Sequence, residues 1–438
     1  MKKKLTCLLL GVLAVLLTGC SSVGLSVEKL MHPPKAVGDK AEIQSLIDLT
    51  AGEGYTLKYP QSGSFRSAIT MKDIDSDGLE EAIAFYQPVG DIATVHILVM
   101  DNVSGEWQTV GDFKSQSTSV ESLNFCDLDG NGVMEIVPSW KTYNANINQL
   151  SLYIYEDNKL REISCENTCS SLVSGDFTEQ SGEELILLSL FSDEKDASAV
   201  LLDINENKSE LISLGKAPLD PDVVSYAQLL VGNVFENQAG VAVDGCTISG
   251  EYNTQLLYFN NYFNSLERIS FTENVAFNQA LRSYPVMCGD VNGDSVIEVP
   301  AAFKLNIEKD RTDKVAAAEI YWCQQTQSGT VLLMKQQAAS FAYGFTFEIP
   351  EDWKGNYTVL TDYETGEVTF YQWAKDKTAD TLLTIKVMEK ESDVHSSQLK
   401  NEKVLAETDS RVYTFEIPEG DNPLIISSDE VKARFDLM

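Results

Sequence analysis

The stretch Asp73-Ile74-Asp75-Ser76-Asp77-Gly78-Leu79-Glu80-Glu81 runs without a break into Ala82-Ile83-Ala84-Phe85-Tyr86. An acidic loop leads directly into an apolar strand. The construction returns at Asp127-Leu128-Asp129-Gly130-Asn131-Gly132-Val133-Met134-Glu135, ahead of Ile136-Val137. It returns again at Asp290-Val291-Asn292-Gly293-Asp294-Ser295-Val296-Ile297-Glu298, ahead of Val299. Weaker copies begin at Asp176 and Asn233, so the five starts lie 54, 49, 57 and 57 residues apart. Near-constant spacing of this size marks repeated supersecondary units.

Between loops the chain alternates strand-like runs with turn residues. The first unit holds runs at 81–86, 94–100 and 107–113, with Asp101-Asn102 and Ser104-Gly105 as turn residues. Adding the run before each loop, such as 120–126, makes four short antiparallel strands per unit, the pattern of a propeller blade. The segments Ile69-Thr70-Met71-Lys72-Asp73-Ile74-Asp75-Ser76-Asp77-Gly78 and Leu123-Asn124-Phe125-Cys126-Asp127-Leu128-Asp129-Gly130-Asn131-Gly132 resemble FG-GAP or VCBS-type repeats of integrin-like β-propellers. There a hydrophobic strand runs into D-x-D-x-D-G-x-x-D/E. The resemblance covers about residues 60–336, with two complete copies. It implies a mainly β fold: a β-propeller of about five to six four-stranded blades, or seven, over 61–336.

The loops have the chemistry of a hard-cation site. Calcium takes six to eight oxygen ligands in a flexible cage. The expected ligands in the first loop are Asp73, Asp75, Asp77 and Glu81, with the carbonyl of Leu79. In the second they are Asp127, Asp129, Asn131 and Glu135, with the carbonyl of Val133. The fifth loop offers Asp290, Asn292, Asp294 and Glu298, with Ser295 where the other two have the turn glycine. The third copy (Asp176, Thr178, Gln180, Glu184) has lost ligands, and the fourth (Asn233, Phe235, Asn237, Val241) keeps almost none. An EF-hand needs an acid at position twelve, where these loops have Ala84, Pro138 and Ala301. A metal-free turn with aspartates capping amides is the competing reading. Crowded like charges disfavour it in the first loop. The expected cofactor is structural Ca2+.

The ends of the chain read differently. Lys2-Lys3-Lys4 and the apolar run 8–17 form a signal peptide over 1–19, too short to span a membrane as a mature helix. Leu17-Thr18-Gly19-Cys20 resembles a bacterial lipobox, which implies a diacylated Cys20 and a lipid-anchored, extracytoplasmic protein. Two acyl chains suffice for stable anchoring. Residues 20–40 are a tether, and 41–60 hold a short helix (41–50) and a lead-in strand. Past 336 no acidic loop recurs. Residues 337–438 are expected as a small α+β module, and Phe347-Glu348-Ile349-Pro350-Glu351-Asp352-Trp353 resembles the opening of PsbP-type modules on bacterial lipoproteins.

The chain of 438 residues carries 33 Lys+Arg against 66 Asp+Glu, which excludes nucleic acid as a partner. Of eight cysteines, Cys126 and Cys288 read as equivalent buried residues of the repeat. Cys165 and Cys169 are close enough to bridge or to stay free. The three histidines, His32, His96 and His395, form no readable catalytic set, and no phosphate-binding glycine loop is present. The tryptophans read as strand packing before sugar stacking. The expected function is therefore a surface-anchored, non-catalytic binding or scaffold module for a protein or glycan. The alternatives are a polysaccharide-acting enzyme with a carboxylate pair in the central channel, and a purely structural envelope protein.

Overall fold

The computed structural model describes residues 38–269, 281–390 and 403–438, apart from the single positions 145, 194, 310, 312 and 313. The expected signal peptide (1–19), the expected lipidation site Cys20 and nearly all of the expected tether (20–40) lie outside the described residues. The chain is mainly β, and its named strand pairings are antiparallel. Among the described residues no helix is long and apolar enough to cross a membrane.

Five sheets follow one another along the chain. In the first, Ile69–Lys72 and Thr56–Lys58 share one edge of Glu81–Gln87, followed by His96–Val103 and Glu106–Lys114. The second runs from Val120–Cys126 to Lys159–Ile163, and the third from Ser171–Gly175 to Leu211–Pro218. The fourth runs from Val223–Phe235 to Ser265–Ile269. The fifth contains Val299–Lys304, Ala318–Gln325 and Val331–Ser340.

The second strands are apolar on both faces because both faces are covered. Ile83 and Phe85 pack with Leu123, Ile136 and Trp140 of the second sheet. Val137, Leu152 and Ile154 pack with Leu185 and Leu187 of the third, and Ile186 and Leu188 with Val241 and Val243 of the fourth. Val234 and Leu256 meet Ile297 and Val299 of the fifth. At the start of the stack, helix α1 (Asp39–Ala51) lays Ile43 and Ile47 on Ala82, Ala84, Tyr86, Leu98 and Met100. Those residues alternate with Ile83 and Phe85, so α1 covers the face of the first sheet turned away from the second. Among the described residues, no hydrophobic cluster joins the first sheet to the fifth.

The expected boundary at 336/337 falls inside the strand Val331–Ser340. That strand pairs on one side with Ala318–Gln325 and on the other with Phe345–Glu348, which pairs in turn with Phe435–Leu437. A sixth sheet carries Tyr357–Asp362, Glu367–Ala374, Lys377–Glu389 and Arg411–Glu416. Its core takes Leu305, Ala316, Ala317 and Ala338 from the fifth unit, so the two regions share one apolar core. Phe347, Ile349 and Trp353 of the quoted motif are buried there, and the Trp353 indole donates to the carbonyl of Leu424 at 2.7 Å. Helix α2 (Ser428–Arg434) opens with a capping box between Ser427 and Glu430. Trp140 and Trp322 are buried as well, as expected of packing residues. Cys126 and Cys288 are buried, and Cys165 and Cys169 are free thiols.

Candidate functional site

In a four-stranded meander successive turns alternate between two edges. The acidic loops are the first turns of their units, so they share one edge. The second-to-third-strand loops and the connections between units share the other.

On the first edge the loops repeat one backbone conformation. Position four has positive φ in Ser76 (62°), Gly130 (67°) and Gly293 (80°). Position six does too, in Gly78 (91°), Gly132 (87°) and Ser295 (70°), so the serine of the fifth loop keeps the conformation that glycine has elsewhere. The acids hold this shape by accepting from loop amides. Asp73 accepts from Gly78 N at 3.1 Å, Asp127 from Gly132 N at 2.8 Å and Asp290 from Ser295 N at 2.9 Å. Asp77, Asn131 and Asp294 accept from the amides of Leu79 (2.7 Å), Val133 (2.6 Å) and Val296 (2.9 Å).

The ninth-position glutamate is the common anchor. Glu81, Glu135, Glu184 and Glu298 are all buried at the start of a strand. Each accepts through Oε2 from the amide at position two: Ile74 (2.7 Å), Leu128 (2.7 Å), Phe177 (2.8 Å) and Val291 (2.7 Å). Burial, joined by the charges of Asp75, Asp101 and Asp73, pushes the Glu81 carboxyl up to about 7. Burial, with the charges of Asp129 and Asp127, pushes Glu135 up to about 7 as well. Carboxylates in such surroundings call for a compensating positive charge.

Two loops gather their acids tightly enough to hold a metal ion. Oxygen atoms of Asp73, Asp75 and Glu81 lie within 4.8 Å of one another, as do those of Asp290, Asp294 and Glu298. In the first loop Glu81 Oε1 and Asp73 Oδ1 are buried without a hydrogen-bond partner. The oxygen donor set and these two unpartnered atoms suit a hard divalent cation. The second loop does not draw its acids together in this way, and Lys208 of the third unit forms an ion pair with Asp129. The fourth copy is not a loop at all. Phe235 pairs with Gln238 across a two-residue turn, with Asn237 at φ 58°, while Asn233 lies within a strand and Phe235 and Val241 are buried strand residues.

The loops also bond to one another. Met134 N donates to Ile74 O, Glu183 N to Asp127 O and Ile297 N to Asn233 O, at 2.7, 2.7 and 2.8 Å. Between the second and third loops the approach is close. A Cβ on Gly182 (φ 106°) would stand 2.6 Å from Leu128 O, so only glycine fits.

Sequence reasoning missed three residues of this edge: Asp101, Gln324 and Lys208. Asp101 follows Met100, the ladder partner of Ala82, and so lies opposite Glu81. It is buried, and the hydroxyl of Tyr155 donates to it. Gln324 occupies the same ladder position opposite Glu298, one step beyond the pair Val299 and Cys323.

The opposite edge carries two cavities. A groove of about 400 Å³ lies between the first and second sheets, lined by hydroxyls and amides including Ser115, Gln116, Thr118 and Gln149, with Trp140 and Tyr143. Its one carboxylate is Glu162. A second cavity, of about 470 Å³, is lined by residues of segments 62–64, 121–124, 170–173 and 227–229, with Ser139 and Asn148. Its one carboxylate, Glu121, is ion-paired with Lys141 at 2.5 Å. Neither cavity brings two carboxylates together. An open depression in the C-terminal module holds Asp352, Asp380 and Asp421, all exposed, and so lacks the buried acid that glycoside chemistry requires. His96 meets Asp112 at 3.1 Å and Tyr86 at 3.2 Å, and among the described residues no serine or cysteine bonds to it.

The second-to-third-strand loops share one further feature. Val89 and Ile92 in the first unit, Tyr143 in the second, Phe191 in the third and Ile248 in the fourth are each more than half exposed. Single exposed apolar residues are ordinary, but recurrence on equivalent loops of four successive units makes a row along one edge.

No family profile matches the chain, and no curated protein matches it. Among solved structures it is similar to a protein from Lactobacillus plantarum (10% identity, 73% of this chain and 85% of that one, TM-score 0.33). It is also similar to the periplasmic gluconolactonase PpgL of Pseudomonas aeruginosa (8%, 74% and 86%, 0.33) and to Saccharomyces cerevisiae Sqt1 (12%, 80% and 98%, 0.32). Likeness at this level establishes neither a shared activity nor a shared ligand.

Proposed function

We propose that the chain is a lipid-anchored, non-catalytic binding module. In this reading Cys20 tethers a β-propeller on the extracytoplasmic side, and calcium bound by the acidic loops stiffens one edge. The other edge docks a surface protein. The second cavity supports the propeller reading, because most of its lining comes from the starts of four successive units, as in a set of strands grouped about an axis. Calcium is supported by the all-oxygen donor set of Asp73, Asp75 and Glu81 and by the two unpartnered buried oxygens there.

The observation that carries the binding role is the row of exposed apolar side chains at Val89, Ile92, Tyr143, Phe191 and Ile248. Aromatic and aliphatic residues clustered on rigidly held loops are the usual anchors of a protein interface. They favour a protein partner over a glycan, whose hydroxyls need more polar cover. The test is a pull-down from bacterial envelope material, run beside a glycan array, with the double variant Tyr143→Asp and Phe191→Asp as comparison. The expected result is a captured protein whose apparent affinity falls about 30-fold or more in the variant, the size of a hot-spot loss. Melting temperature should not change, since both side chains are exposed. Equal capture by wild type and variant would refute the proposed edge.

A further inference from the structure

We infer that the acidic loops divide into one that takes an external cation and three in which a side chain of the chain itself (Thr178, Gln324 or Lys208) already occupies an acid. This rests on the calcium reading above and concerns which loops bind. In the third loop the hydroxyl of Thr178 donates to Glu184 Oε1. In the fifth, the amide of Gln324 donates to Glu298 Oε1 at 2.6 Å and to Asp294 Oδ2 at 2.8 Å, so one side-chain amide bridges the two acids that would hold an ion. In the second, the ammonium of Lys208 pairs with Asp129 and, at 3.3 Å, with Glu156, so that a cation of the chain already sits at the loop although Glu135 Oε1, like Glu81 Oε1, is buried without a hydrogen-bond partner.

The first loop has no such substitute. At the ladder position where the fifth sheet has the amide donor Gln324, the first sheet has a further carboxylate, Asp101; the third sheet has Asp203 there, but its Glu184 Oε1 is already taken by the Thr178 hydroxyl. Asp101 is buried, and the Tyr155 hydroxyl holds it in place. Glu81 Oε1 and Asp73 Oδ1 remain buried and unpartnered. Four carboxylates, Asp73, Asp75, Glu81 and Asp101, thus converge where a divalent cation is the natural counter-charge. Asp101 acts as a positioning residue, raising the negative potential behind the direct ligands. Supporting groups of this kind commonly change metal affinity 10–100-fold.

The experiment is calorimetric titration of the full chain with CaCl2 after chelation. Wild type should show a single site. Asp101→Asn should weaken binding tenfold or more without lowering the melting temperature of the calcium-free protein, which separates a charge role from a packing role. Lys208→Asn, at an exposed turn whose positive φ asparagine tolerates, and Gln324→Asp should each raise the stoichiometry from one toward two. The lysine variant keeps the test open if the buried glutamine variant fails to fold. Absence of any calcium site in the wild type would sink the calcium reading itself. Two or more sites in the wild type, or a single site in both Lys208→Asn and Gln324→Asp, would overturn the division while leaving calcium binding intact.

Discussion

Replacing Asp244 by alanine is expected to cost about 3–5 kcal/mol, the largest single loss in the molecule, because it breaks a buried ion pair from one side. Asp244 in the fourth sheet and Arg282 have fully buried side chains, with Nη2 to Oδ1 at 2.8 Å. The carboxylate also accepts from Thr254 and, through Oδ2, from Cys288 N at 2.8 Å. Arg282 donates a second bond to Thr254 Oγ1 at 2.8 Å. One aspartate therefore ties two strands of the fourth sheet to the segment that leads into the fifth loop. In the variant the guanidinium loses this carboxylate, and the Cys288 amide and the Thr254 hydroxyl lose their acceptor. Urea denaturation measures the loss. The double variant Asp244→Leu, Arg282→Met should recover much of it, since paired apolar substitutes are often tolerated where a half-broken pair is not. A loss under about 1 kcal/mol for Asp244→Ala would mean that water reaches the pair.

On the proposed calcium reading, calcium removal is expected to be the second large effect. With free calcium a hundredfold above its dissociation constant, stability should rise by about 2.7 kcal/mol per site, and chelation should reverse the gain. Glu81→Gln should abolish the calcium-dependent part while raising the stability of the chelated protein, because it removes a buried charge. The pH dependence of the chelated protein follows from the direction of the glutamate shifts. Glu81 and Glu135 hold their protons up to about 7 in the folded state, well above the ordinary glutamate value of 4.5. The folded chain therefore binds more protons than the unfolded chain between those two values. Their contribution is complete below the unfolded value and is lost as pH rises through the folded one. Calcium-free protein should melt at a lower temperature at pH 8 than at pH 6, and added calcium should raise the melting point more at pH 8. A calcium-free melting point independent of pH over that interval would show that water already solvates these carboxylates.

The acidic loops were legible because their ligands sit at fixed offsets within nine residues, and a local turn is coded locally. Asp73, Asp75 and Glu81 converge, while Asp77, also expected as a ligand, is not in that group and accepts from the Leu79 amide; the fifth loop keeps its shape with Ser295 in the left-handed region. The fourth copy misled. Asn233 aligns by spacing, yet residues 233 and 235 continue a strand and the turn shrinks to Glu236-Asn237. Phe235 and Val241 gain more from burial between sheets than a loop with no ligands would retain. The boundary at 336/337 misled for a similar reason. The repeat signal ends there, but Val331–Ser340 has two edges, and its far edge pairs with Phe345–Glu348. An unpaired edge strand would expose its backbone groups, so the sheet continues.

By itself the sequence determined what is local: successive antiparallel units, the acid loops at their first turns, the hydrophobic strands behind them and the mainly β class. These follow from alternation of apolar residues, turn chemistry and carboxylate spacing, all of which act over a few residues. Tertiary structure alone decided what faces each loop. Asp101 meets Glu81 and Gln324 meets Glu298 through ladder register, and Lys208 meets Asp129 through packing of one unit on the next. Those partners lie 20 or more residues away, at separations set by hairpin length and sheet stacking, and no offset within a motif records them. The charge balance of each loop, and so its need for a cation, is therefore a property of the folded stack.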